Sequence, residues 1–293
     1  MTLNNGFYTA LGTPLDDNGD CIPSSLYTHI EQQIQAGASG LLLMGSMGIE
    51  AAVKNSTYRK LVATASQTVR GRLPLFVGAM DNSITKVLEK VELMGKAEVA
   101  GVVVTTPFYS LSSEDELVNW FLGIADQSRY PVYLYDLPAV TKVKITHSLI
   151  RRIGGHTNIQ GMKTADLQLI LDLMREPELM RKFHILYSGL DLFDYANRLN
   201  IKRNLDGMFC VTPRNAGALY ACLCKEDYTG ARLYLDRILR LRNTMVENRL
   251  FPSFTYAMNL LGCAGNFAPD YAGALTPEQQ ETIAYTMQQI GER

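Results

Sequence analysis

Eight times along this chain an apolar run rich in β-branched and aromatic residues gives way to a stretch with helical periodicity, and that alternation constrains the fold more than any other feature. The runs fall at 7–14, 40–45, 73–80, 101–107, 131–138, 159–165, 184–189 and 206–212. The helical stretches follow at 24–36, 56–69, 84–97, 113–128, 147–153, 166–175, 192–200 and 214–224. Ser113, with Glu116 three residues on, carries the capping-box signature of a helix start. Repeated strand–helix units of about 25 to 35 residues predict an α/β architecture, a parallel sheet closed into a (β/α)8 TIM barrel. An open doubly wound sheet is the alternative, but no Gly-x-Gly-x-x-Gly fingerprint follows any run. Beyond Cys224 the strand pattern stops, and 228–246, 253–261 and 277–290 read as three helices. The expected organisation is a barrel over 1–224 with a C-terminal three-helix appendage over 225–293.

Composition narrows the function classes. The 28 basic residues nearly balance the 29 acidic ones, which argues against nucleic acid or another polyanion as partner. No apolar stretch approaches the ~20 residues that span a bilayer, and no basic segment followed by an apolar run opens the chain, so a cytoplasmic protein is expected. Cys21, Cys210, Cys222, Cys224 and Cys263 lack paired spacing and read as free thiols. The histidines at 29, 147, 156 and 184 show no metal-ligand spacing, and no metal site is expected.

The sixth run ends on Lys163 among apolar and small residues. A buried ammonium costs several kcal/mol unless it is paired with a carboxylate or gives up its proton. A neutral amine at a strand end suggests Schiff-base chemistry, in which it attacks a ketone and the iminium withdraws electrons from the adjacent carbon. In a barrel the active site lies at the C-terminal ends of the strands. There the second run supplies Gly45-Ser46-Met47-Gly48, the fourth Thr105-Thr106-Pro107-Phe108-Tyr109, and the fifth Tyr135-Asp136-Leu137-Pro138. Hydroxyls surround one lysine. The turn at 45–48 also offers backbone N–H groups to a carboxylate.

These four motifs, in this order and spacing, resemble the pyruvate-dependent class I aldolase family that holds 4-hydroxy-tetrahydrodipicolinate synthase and N-acetylneuraminate lyase. The resemblance spans essentially the whole chain. It implies that Lys163 is the Schiff-base lysine, Tyr135 the proton-transferring phenol, and Ser46 with Tyr109 the rest of the relay. It implies substrate contacts from Ser46, Met47, Gly189 and Phe209, no cofactor, and a homotetramer in which Tyr109 works at a neighbouring subunit's pocket. The partners would be a 2-oxo acid, commonly pyruvate, and an aldehyde.

The chain departs from the family pattern at several places. Met47 stands where a second threonine is usual, and Ile49 where a glutamate is usual, with Glu50 one place later. Asp136 replaces an asparagine, and Val140 replaces the arginine that synthases use for a carboxylate. Phe209 is bulkier than the usual residue and is expected to narrow the pocket floor. The expected function is a carbon–carbon lyase of the Schiff-base class. The alternatives are the synthase proper or a relative that binds a 2-oxo acid without turnover.

Overall fold

The computed structural model describes residues 3–293. Eight strands form a closed barrel in chain order: β1 (Gly6–Ala10), β2 (Gly40–Leu43), β3 (Leu75–Gly78), β4 (Gly101–Thr105), β5 (Val132–Tyr135), β6 (Ile159–Thr164), β7 (His184–Tyr187) and β8 (Arg203–Asp206). All neighbours pair in parallel, and β8 closes on β1 with Gly6 opposite Arg203. The helices of the outer ring are α1 (Pro23–Gln35), α2 (Asn55–Val69), α3 (Ile84–Leu93), α4 (Glu114–Gln127), α5 (Pro138–Thr141), α6 (His147–Ile153), α7 (Leu167–Leu173), α8 (Pro177–Met180), α9 (Phe193–Arg198) and α10 (Pro213–Cys224). Three more follow: α11 (Tyr228–Glu247), α12 (Leu250–Leu260) and α13 (Pro277–Gln289). The (β/α)8 barrel and the helical C-terminal region expected from the repeat pattern are both present.

Strand alternation divides the core into two. Tyr8, Leu42, Phe76, Val103, Tyr133, Tyr135, Leu186 and Leu205 fill the barrel interior. Residues one position away, such as Leu41, Val77, Val104, Leu134 and Met162, point outward against the helices. Interior filling needs side chains missing at several places, Gly161 among them: a Cβ there would lie 2.2 Å from the His184 carbonyl oxygen and 2.8 Å from the Tyr133 ring. Glycine there leaves room for Tyr133.

The capping box at Ser113 forms as expected, the Glu116 N–H donating to the serine hydroxyl and the Ser113 N–H to the glutamate. The eighth strand is a correction. It runs over Arg203–Asp206 and not 206–212, because after Asp206 the chain turns into a 3-10 helix at Met208–Cys210. The Met208 N–H donates to the Asp206 carboxylate at 2.8 Å, and the Thr212 hydroxyl donates to the Met208 carbonyl at 2.8 Å, closing the turn. Arg203, Asn204 and Asp206 disguise this strand in an apolarity scan.

Candidate active site

Three side chains from three strand ends meet in a hydrogen-bonded line. Lys163, the fifth residue of β6, points inward and is 5% exposed. Its ammonium nitrogen Nζ lies 3.0 Å from the Tyr135 hydroxyl and 4.2 Å from that ring's centre. The β5–β6 register sets Tyr135 directly opposite Lys163, so the contact is built into the sheet. The Tyr135 hydroxyl is in turn 3.0 Å from Ser46 Oγ, which follows β2. Both distances lie within the reach of proton transfer. Among the described residues no carboxylate forms an ion pair with Lys163. Asp206, at the end of β8, feels its charge; burial pushes the Asp206 carboxyl up, while the Met208 N–H and Lys163 oppose that rise.

Lys163 and Tyr135 owe their alignment to Asp136. This residue is 4% exposed and turned away from the barrel axis. It accepts from the Ile145 N–H at 3.0 Å and the Thr164 hydroxyl at 2.8 Å, and it pairs with Lys144. The Asp136 N–H donates to the Lys163 carbonyl at 2.9 Å. Thus the residue in the asparagine's place is a clamp between the ends of β5 and β6. Lys144 also reaches Asp166 at 3.0 Å; burial works against its charge, but the two carboxylates outweigh it and raise its affinity for the proton.

The turn after β2 is wound tightly. Met44 and Ile49 take left-handed backbone, at φ 56° and 48°, which is unusual for side chains of this bulk. The Ile49 N–H donates to the Ser46 carbonyl and the Glu50 N–H to the Gly45 carbonyl, whereas the N–H groups of Met47 and Gly48 have no backbone acceptor among the described residues. The left-handed turn at Ile49 carries Glu50 into the interior, where its carboxylate meets Lys90 Nζ at 2.5 Å. An ion pair therefore stands one residue beyond where the motif places the glutamate. Met47 reaches across the barrel mouth to Gly207, where a Cβ would lie 2.6 Å from its side chain.

Two expected substrate contacts find other surroundings. Phe209 lies in the 3-10 turn, fully buried, its ring against Phe7 and Phe193 with ring centres 5.3 and 5.8 Å away. Gly189 makes room for Tyr187, whose hydroxyl would lie 2.2 Å from an added Cβ. Tyr109 is 91% exposed and outside the hydrogen-bonded line of three; its N–H donates to the Asn82 side chain at 2.9 Å.

The mouth of the barrel is uneven. On the β7–β8 side Arg242 holds Asp191 through two bonds of 2.6 and 2.8 Å, a pairing that keeps the Asp191 carboxyl low, and Asp206 lies within reach of the same charge. On the β2–β5 side a cavity of about 400 Å³ begins at Ser46 and Thr105. Larger clefts of about 720 and 560 Å³ lie beside α1 and α10 and at the N-terminal end of the barrel, away from Lys163. Thr105, at the end of the fourth run, has a hydroxyl buried without a partner among the described residues, opposite Tyr135 in the β4–β5 register.

Residues 4–290 match the model of the dihydrodipicolinate synthetase family. The 4-hydroxy-tetrahydrodipicolinate synthase of Gluconacetobacter diazotrophicus is 27% identical over 268 residues, covering 90% of this chain and 89% of its own. Among solved structures, YagE from E. coli K12, a prophage protein of the dihydrodipicolinic acid synthase family in complex with pyruvate, superposes with a TM-score of 0.90 at 20% identity over the whole of both chains. CdNal from Clostridium difficile, in complex with mannosamine, superposes with a TM-score of 0.89 at 18% identity over 99% of this chain and 100% of its own. At that identity the two structures speak for the fold alone.

Proposed function

Because the chain belongs to the dihydrodipicolinate synthetase family, we propose that it joins or splits pyruvate and an aldehyde through an iminium on Lys163, with Tyr135 moving the protons. Family membership makes it a carbon–carbon lyase of the Schiff-base class. The observation that carries the assignment of roles is the line Lys163–Tyr135–Ser46, two contacts of 3.0 Å at the C-terminal end of the barrel. The Lys163 amine, once neutral, attacks the keto carbon of pyruvate, with the Tyr135 hydroxyl in reach of the proton. Water leaves, and the iminium draws electrons from the methyl carbon, which gives up a proton to become an enamine. A phenol is a weak base in water, but beside an iminium its anion is favoured, so Tyr135 accepts and returns protons while Ser46 holds the other end of its hydroxyl. The free N–H groups of Met47 and Gly48 suit the pyruvate carboxylate.

The exposure of Tyr109 supports a role outside its own subunit, at a neighbour's pocket in a homotetramer; sedimentation of the protein tests the assembly. Five free cysteines fit a reducing, cytoplasmic setting, and among the described residues no helix is long and apolar enough to cross a membrane. Incubation with pyruvate and borohydride tests the chemistry. A stable mass adduct that peptide mapping locates at Lys163 is expected; no adduct at saturating pyruvate, or label on another lysine, rejects the reading.

A further inference from the structure

The cavity on the β2–β5 side shares Ser46 with the reactive line and is walled by Ile49, Phe108, Leu137, Val140, Phe251 and Tyr271. No lysine, arginine or histidine lines it. Its one acidic residue, Glu50, has a fully buried side chain with one carboxylate oxygen on Lys90. Two polar atoms along this wall lack partners among the described residues: the second carboxylate oxygen of Glu50 and, where the cavity meets the line of three, the Thr105 hydroxyl, 2% exposed. The charges of the mouth, Asp191, Arg242 and Asp206, lie on the opposite side. A tail bearing a carboxylate would shed water against this wall and meet no cation, and one bearing several hydroxyls would meet few partners, whereas an apolar tail would gain from the contact. Size is no obstacle, since a cavity of about 150 Å³ already takes up benzene.

We propose that the second substrate is an aldehyde with an apolar body, aryl or alkyl, and without a charged or polyhydroxylated tail, an inference that rests on the Schiff-base reading above. Its carbonyl oxygen is held by Thr105 and Tyr135, and its body lies against Leu137, Val140 and Phe251. The bond that forms joins the methyl-derived carbon of the pyruvate enamine to the aldehyde carbon. The carbonyl electron pair moves to oxygen, which takes back the proton that Tyr135 removed, and water hydrolyses the iminium to release a 4-hydroxy-2-oxo acid and the free Lys163 amine. Atoms and electrons balance with no oxidant or reductant.

The test is an acceptor series with pyruvate, using benzaldehyde, hexanal, glyceraldehyde and aspartate semialdehyde, with pyruvate trapping by borohydride run separately on the same protein. Benzaldehyde or hexanal should exceed both polar aldehydes by about 10-fold or more in kcat/KM. Val140→Arg, at a position 59% exposed on the rim, should erase or reverse that preference. A preference of the parent for either polar aldehyde, or a pyruvate adduct with no apolar aldehyde consumed, overturns the inference and leaves the iminium standing. Absence of the adduct overturns both. If the cavity instead seats a side chain from a second copy, Val140→Arg changes the sedimentation and not the acceptor preference, and the inference falls.

Discussion

Lys90 and Lys163 are buried alike, each 5% exposed, and the protein surrounds them in opposite ways. Lys90, on α3, has Glu50 at 2.5 Å, Asp81 at 3.2 Å and the Met80 carbonyl at 2.6 Å. All three of these partners present oxygens to its nitrogen. Lys163, on β6, has a phenol at 3.0 Å and that phenol's ring at 4.2 Å. Burial by itself therefore does not mark a reactive amine. The distinction lies in what replaces water: two carboxylates fix a cation for structural use, whereas a lone hydroxyl leaves the nitrogen free to become a nucleophile. The same contrast explains why the two lysines sit where they do. Lys90 ties the turn after β2 to the end of β3, and Lys163 faces the mouth of the barrel.

The comparison is broken most directly at Lys163. Lys163→Ala should lower turnover by on the order of 1,000-fold or more and abolish borohydride trapping of pyruvate, while the melting temperature stays near that of the parent, because no carboxylate is bonded to Lys163 among the described residues and Asp206 keeps the charge of Arg242. A large loss of stability would place Lys163 in the same class as Lys90. Tyr135→Phe removes only the hydroxyl and keeps the ring that packs in the barrel interior. Turnover should fall about 100-fold to 10,000-fold, as for a lost general acid or base, with little change in Tm. Steady-state rates beside thermal melts decide it; undiminished turnover would leave Tyr109 or a bound water as the proton carrier.

Lys90→Met makes the converse test. Glu50 and Asp81 would be left without their shared cation, and breaking a buried pair from one side costs about 3 to 5 kcal/mol. Urea unfolding should show that loss, while folded variant should still form the pyruvate adduct. Loss of adduct with unaltered stability would invert the assignment of the two lysines.

Much of this was legible in the sequence, and the exceptions have physical causes. The barrel announces itself because each strand–helix unit repeats a local pattern, and Ser46, Tyr135 and Lys163 announce themselves because each ends a strand inside a short motif. Lys90 does not, since its partner Glu50 lies 40 positions away and reaches it only through the left-handed backbone at Ile49. Lys144 escaped notice for the same reason, its pairing with Asp136 depending on the loop between α5 and α6. The strand over Arg203–Asp206 hides behind polar residues, one of which, Asn204, is fully buried and bonded to the Tyr220 hydroxyl. Placing β8 too late put Phe209 on a strand, whereas it belongs to the 3-10 turn that follows.

The smallest expected effect concerns the pH dependence of the Lys90 cluster. Burial pushes the Glu50 carboxyl up to about 7, with Lys90 opposing the rise. Asp81 moves the other way, its carboxyl held below the ordinary value: burial would raise it, but the bonds from Lys86, the Asn82 N–H and Lys90 prevail. The folded chain therefore binds the Glu50 proton more tightly than the unfolded chain does. That contribution to stability is full below the ordinary glutamate value and is lost as pH climbs through about 7. Asp81 has the opposite sign, its contribution being present at neutral pH and lost only in acid, below the window where Glu50 acts. Between pH 5 and pH 8 the parent should thus lose about 1 to 3 kcal/mol relative to Glu50→Gln, whose amide cannot ionise. Urea midpoints of the two proteins at both pH values measure the difference. A gap that stays constant would mean that Glu50 is ionised throughout, so that Lys90 keeps both its carboxylates charged and differs from Lys163 even more sharply than the geometry alone requires.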